Sequence, residues 1–137
     1  MNISARCEYG CRAVVELARH MHTEKPLTAT VIAEKRTIPE KYLVHILLQL
    51  KRAGVVRSVR GAQGGYLLAR SPDTISLLDI VTAVDGGVLD PLPVTGDDSD
   101  EVAPAWRDAA AGISEVLEKI TVQSILDRTP KAEMYYI

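Results

Sequence analysis

The 137-residue chain contains no run of about 18 consecutive apolar residues, so no segment reads as a membrane-spanning helix. The N-terminal string MNISARCEYG lacks the apolar core of a secretory signal, and a cytoplasmic location without membrane contact is expected. Cysteine is scarce. Cys7 and Cys11 are the two present, and no second pair completes a metal-binding framework. A disulfide between them is not expected, because side chains one helical turn apart do not offer the geometry the bond needs. Also missing are a Gly-rich phosphate loop after a strand and any Ser/His/Asp or Cys/His set. His20, His22 and His45 fall on helical surfaces with no evident carboxylate partner, so an enzyme is not expected.

What is present is a globular composition, 47% apolar and 25% charged, in a length that suits one domain. The formal net charge of −2 conceals a division. Residues 1–70 hold 12 Lys and Arg against 5 Asp and Glu, a balance of +7, whereas residues 71–137 hold 4 against 13, a balance of −9. Asymmetry of this kind points to contact with nucleic acid or a membrane surface.

Periodicity orders the chain. Ser4 suits an N-cap, and Cys7, Cys11, Val14, Ala18 and Met21 form one buried stripe of a first helix that ends near His22. Pro26 forces an extended step before Leu27. Thr28 caps a short second helix to about Lys35, with Val31 and Ile32 facing in, and a turn at Arg36–Ile38 follows. Pro39 fits the first turn of a third helix, in which Leu43, Ile46, Leu47 and Leu50 give an i, i+3, i+4, i+7 core face and Gly54 ends the run. The period then becomes two. Val55, Val56 and Val59, then Tyr66, Leu67 and Leu68, predict strands joined by a loop with three glycines. Ser76 caps a fourth helix to about Val84, bounded by Gly86-Gly87. Residues 86–103 have linker composition, and Asp97, Asp98, Asp100 and Glu101 there read as a solvated acidic turn rather than a site for Ca²⁺ or Mg²⁺. Pro104 opens a long helix to about Ile120, Thr121 caps a last short one to Arg128, and residues 129–137 form a tail.

The fold class expected is mainly α with a small β-hairpin wing. Helix, short helix, tight turn, helix and glycine-turned hairpin is the order of a winged helix-turn-helix over residues 1–85. Opposite the core face of the third helix lie Glu40, Lys41, Val44, His45, Lys51 and Arg52. Arg57, Arg60 and Arg70 sit on or beside the hairpin, where an arginine on a thin loop is suited to a narrow minor groove. The long helix carries Trp106, Ala109, Ala110, Ile113, Val116, Leu117 and Ile120 in a stripe too wide for so small a domain to cover, which implies a partner helix in a dimer. The first helix of the same chain is expected to take part of that surface. The interface set is Trp106, Ala110, Ile113, Leu117 and Ile120 within residues 104–128.

Three strings carry a resemblance: Tyr9-Gly10, Tyr42-Leu43 and the continuous stretch from Arg60-Gly61-Ala62-Gln63-Gly64-Gly65 through Tyr66-Leu67-Leu68-Ala69-Arg70. With them residues 4–85 resemble the iron–sulfur cluster regulator family of bacterial winged helix-turn-helix transcription factors. The resemblance implies a homodimer on a palindromic operator, with Lys41, Tyr42 and His45 in the major groove and Arg60 in the minor groove. Thr28, Glu40, Arg57, Gly61 and Gln63 complete the expected DNA-facing set.

Cluster-binding members of that family place three cysteines in and around the linker, where this chain has neither Cys nor His. Glu8 lies where a further ligand from the first helix occurs in some members, but alone it holds no cluster, and no cofactor is expected. Cys7 and Cys11 read as small buried residues, with a thiol switch or atypical cluster ligands in a redox or nitric-oxide sensor as the alternative. The acidic linker, Trp106 and the ending Met134-Tyr135-Tyr136-Ile137 are similar to the family's cysteine-metabolism repressors, which are regulated by complex formation with the enzyme O-acetylserine sulfhydrylase. By that resemblance Tyr135, Tyr136 and Ile137 form a partner-binding tail, the free carboxylate entering the enzyme's active site. The alternative is packing of the tail on its own dimer.

Overall fold

Ser4 joins the two ends of the N-terminal unit in the computed structural model, which describes residues 2–89 and 101–128. Its Oγ accepts from the Cys7 N–H at 3.0 Å, capping helix α1 (Ala5–Arg19). The same hydroxyl donates to the Asp85 carboxylate at 2.8 Å, at the far end of helix α4 (Leu77–Asp85). Gly10 shows why α1 and α4 lie so close. A Cβ at that position would stand 3.2 Å from Val84 and 3.4 Å from Ile46, so the Tyr9-Gly10 string marks a helix crossing. α1 ends earlier than its periodicity suggests. His20 is the C-cap and Met21–Thr23 form a 3-10 turn, which leaves Met21 exposed rather than on the buried stripe.

Thr28 caps helix α2 (Ala29–Arg36) by accepting from the Val31 N–H. Ile32 is fully buried on α2, while Val31 is only half-buried. Thr37 then takes a left-handed conformation, φ 54°, ψ 51°, and turns the chain into helix α3 (Glu40–Arg52). Pro39 stands one residue outside that helix as its N-cap, its carbonyl accepting from Tyr42 and Leu43. Leu43, Ile46, Leu47 and Leu50 have no exposed surface, and they meet Val14, Ile32, Val55, Ile75 and Ile80 in one core. Each such side chain is worth roughly 1.5–3 kcal/mol of burial.

Strands β1 (Val56–Val59) and β2 (Gly65–Leu68) form the antiparallel wing, in register Val56 with Leu68 and Val59 with Gly65. A third segment, invisible to periodicity, extends it. Leu27 and Tyr66 exchange backbone hydrogen bonds of 3.0 and 2.7 Å, fastening the wing to the residue before the Thr28 cap of α2. Gly65 permits this approach. Its φ is +147°, and a Cβ there would lie 2.5 Å from the Leu27 carbonyl oxygen.

Helix α5 (Val102–Lys119) starts two residues before Pro104, so the linker reading 86–103 overruns its first turn. Helix α6 (Val122–Asp127) is closed by a reciprocal box between Thr121 and Ser124. The junction of the two is bonded back to the start of α4, Leu77 N–H to the Ile120 carbonyl and Val122 N–H to that of Ile75. Val122 is fully buried. α5 packs mainly on α4 of its own chain, Ile113 and Leu117 share a cavity lining with Cys7 and Cys11 of α1, and α6 packs on α1.

Candidate nucleic-acid interface

α2 and α3 form the helix-turn-helix, and three surfaces border one another around it. The first is the N-terminal end of α2, where the exposed Thr28 is committed to its cap. The second is the outer side of α3, where Glu40, Lys41, Tyr42, His45, Lys51 and Arg52 are all exposed. Glu40 is held in place, since Thr30 Oγ1 donates to its carboxylate at 2.6 Å. The third is the wing. Arg57, Arg60, Gly61 and Gln63 are exposed there, with the tip closed by Gly64 N–H to the Gly61 carbonyl at 3.0 Å. The Leu27–Tyr66 bridge fixes this third surface to the first.

Hydrogen bonding separates working cations from structural ones. Arg6 donates to Gln49, Arg12 pairs with Glu8 at 2.6 Å, and Arg70 pairs with Asp79 at 3.1 Å while donating to the Thr74 carbonyl. Arg70 therefore braces the end of the wing against α4. Arg36 Nε reaches the buried Glu16 at 2.8 Å, and the other Glu16 oxygen meets His20 Nε2 at 2.7 Å. This corrects the expectation that no histidine has a carboxylate partner. Lys35 Nζ stands 3.2 Å from the same His20 nitrogen, which cannot accept from Lys35 while donating to Glu16. Among the described residues Lys41, Lys51, Arg52, Arg57 and Arg60 enter no ion pair, and all five lie on α3 and the wing. Arg19 and Lys25, at the end of α1 and in the loop after it, are the other cations of residues 1–70 outside these bonds.

The expected interface residues on α5 are placed unevenly. Trp106 is 39% exposed, Val116 59% exposed, and Ala110, Ile113 and Leu117 are half-buried. Ile120 ends the helix, and its carbonyl is used within the chain by Leu77. Ile113 and Leu117 line a cavity of about 610 Å³ together with Cys7, Cys11, Val81 and Leu89. Cys7 is buried and Cys11 half-buried, and both are free thiols. The two thiols shift each other: the interaction with Cys7, followed by burial, pushes the Cys11 thiol up from its ordinary value, while the interaction with Cys11 draws the Cys7 thiol down against the opposing effect of burial. The described residues of one chain offer no complete ligand set for an iron–sulfur cluster. Such a cluster needs thiolates or histidines on every iron, the chain holds two cysteines, and no three His, Cys, Asp or Glu side chains converge among the described residues. Asp97, Asp98 and Asp100 of the acidic turn, and Tyr135, Tyr136 and Ile137 of the tail, lie outside the described residues.

Comparison with known proteins agrees with this geometry. A family model described as Rrf2, iron-dependent transcriptional regulator, matches residues 3–128. The HTH-type transcriptional regulator CymR of Bacillus subtilis is 34% identical over the whole of both chains. The regulator IscR of Erwinia tasmaniensis is 32% identical over 93% of this chain and 79% of its own. Among solved structures, T. potens IscR superposes with a TM-score of 0.78 at 34% identity, covering 99% of this chain and 97% of that one. CymR of B. subtilis, described as the global cysteine regulator, gives a TM-score of 0.78 at 32% identity over 94% and 98%.

Proposed function

The chain belongs to the Rrf2 family of transcriptional regulators, and we propose that it acts as a cytoplasmic homodimeric repressor of cysteine and sulfur metabolism genes that carries no iron–sulfur cluster of its own. It is a regulator and not an enzyme. One observation carries the DNA-binding surface: the five unpaired cations Lys41, Lys51, Arg52, Arg57 and Arg60 share α3 and the wing, while other cations of the N-terminal half are tied to Glu8, Glu16 and Asp79. On this reading Lys41, Tyr42 and His45 face base edges of a palindromic operator, Glu40 is poised by Thr30, and Arg60 enters the minor groove. Thr28, Arg57, Gly61 and Gln63 border the phosphates. Two-fold symmetry sets two α3 helices about 34 Å apart.

Arg60→Ala, compared with the unchanged chain on a selected operator across a salt series, tests the surface. An Arg60 seated in the minor groove makes the variant weaker across the whole salt series, whereas a phosphate-bound Arg60 would in addition make the slope shallower by about one unit. An unaltered affinity and slope would remove Arg60 from the interface.

The likeness to a regulator described as a global cysteine regulator supports the metabolic assignment. The resemblance of Met134-Tyr135-Tyr136-Ile137 to the family's cysteine-metabolism repressors supports a partner in O-acetylserine sulfhydrylase. Removal of Ile137 is expected to abolish binding of that enzyme and to leave bare DNA affinity intact. Equal enzyme binding by the shortened chain would assign the tail to the dimer instead.

A further inference from the structure

Val44 and Leu48 are 49% and 41% exposed, one turn apart on the outward side of α3. They occupy the middle of a line running Lys41, Val44, His45, Leu48 and Arg52, at helical spacing directly across from Leu43, Ile46, Leu47 and Leu50 in the core. The part of α3 furthest from its own domain therefore has cations at its ends and two apolar side chains flanking His45 at its centre. Arg52, unpaired among the described residues, suits a phosphate at one end of this line, and Lys41, also unpaired, a base edge at the other. The apolar pair needs a different partner. In the major groove the base edges offer nitrogen and oxygen acceptors, amino donors, and one apolar group, the C5 methyl of thymine. A valine or leucine set against an amino or carbonyl edge would remove its water and return no hydrogen bond.

We propose that Val44 and Leu48 read thymine methyl groups, so that each operator half-site carries thymines where the middle of α3 crosses the groove. This rests on the reading of α3 as the recognition helix. Four residues of helix rise by about 6 Å, close to two base-pair steps at about 3.4 Å each, so the two side chains reach methyls within about two steps of one another. The specificity is shape-based. It excludes cytosine and adenine at those positions by contact, without a hydrogen bond from either side chain.

The test uses the full chain. Duplexes selected from a randomised pool define the operator, and each thymine of the half-site is then replaced by deoxyuridine, which removes the methyl and keeps both pairing and the O4 acceptor. The unchanged protein is expected to lose about fourfold in affinity for each methyl it contacts. Val44→Ala and Leu48→Ala are expected to bind the thymine operator more weakly and to lose discrimination against uracil at one position each. Both side chains are exposed, so circular dichroism should show an unaltered fold. Insensitivity of the unchanged protein to uracil at every position, with selective binding retained, would overturn this inference alone. So would equal discrimination by the double variant. A chain that selects no sequence at all would overturn the recognition-helix reading, and the methyl contacts with it.

Discussion

Glu16 is the residue on which α1 and α2 depend. It is buried to 6% exposure on a helix whose other buried positions are apolar or small, and it survives there because Arg36 and His20 occupy its two carboxylate oxygens. Arg36 Nη2 is itself buried with no hydrogen-bond partner, so the cation relies on this one carboxylate. Breaking a buried pair from one side leaves the other charge uncompensated, which costs several kcal/mol. Glu16→Ala is expected to lower stability by about 3 kcal/mol, at the lower end because the Arg36 side chain is 20% exposed and partly hydrated. Urea unfolding measures it. A loss below about 1 kcal/mol would show that Arg36 swings to solvent and that the pair adds little. Sequence reading missed this network for a physical reason. Glu16 and Arg36 are 20 positions apart on different helices, so no local spacing brings them together, whereas the Glu16–His20 half of the network lies at i,i+4 and was legible from helical spacing.

At the scale of elements, periodicity and caps were legible because they act within a few residues. Ser4, Thr28, Ser76 and Thr121 each accept the hydrogen bond that their positions predict. The Arg60–Arg70 string placed the wing within a residue of its observed strands. The Leu27–Tyr66 bridge was not legible, since one bonded residue has no alternation to betray it, and the extended step expected at Pro26 comes before Leu27. α5 was legible as a helix but not in its packing. Of its apolar positions, Ala103 alone is fully buried among the described residues, while Val102, Trp106 and Val116 stay exposed along a helix about 27 Å long. Its C-terminal end is anchored through Ile120 and Val122, so the remaining stripe is presented rigidly rather than as a loose arm. Val116→Asp puts a charge on that stripe at a site 59% exposed in the single chain, where it cannot disturb the core. A monomer with an intact helical spectrum in sedimentation velocity is the expected result. A dimer that tolerates the Val116→Asp change would move the interface elsewhere.

For the whole molecule, the net charge of −2 is the sum of two opposed halves of the sequence. The +7 of residues 1–70 includes the cations left unpaired on α3 and the wing, and on the proposed reading the −9 of residues 71–137 disfavours phosphate contact by the C-terminal half. Acids in the N-terminal half are largely consumed within the fold: Glu8 and Glu16 hold arginines, and Glu40 holds Thr30. Each ion pair removes one charge of either sign, so the net positive balance is unchanged and falls on the cations left unpaired on α3 and the wing. If the five cations of α3 and the wing all met phosphate in both subunits, about ten counterions would be released, and the slope of log K against log salt would approach about −9. That value is a ceiling, since Lys41 and Arg60 are assigned to grooves. A slope between about −4 and −9 is therefore expected for the dimer, halved in Val116→Asp because each monomer spans one half-site. A slope shallower than about −2 would mean that these cations do not meet phosphate. An unhalved slope in the monomeric variant would mean that two chains reassemble on the operator, leaving the DNA and not α5 to set their spacing.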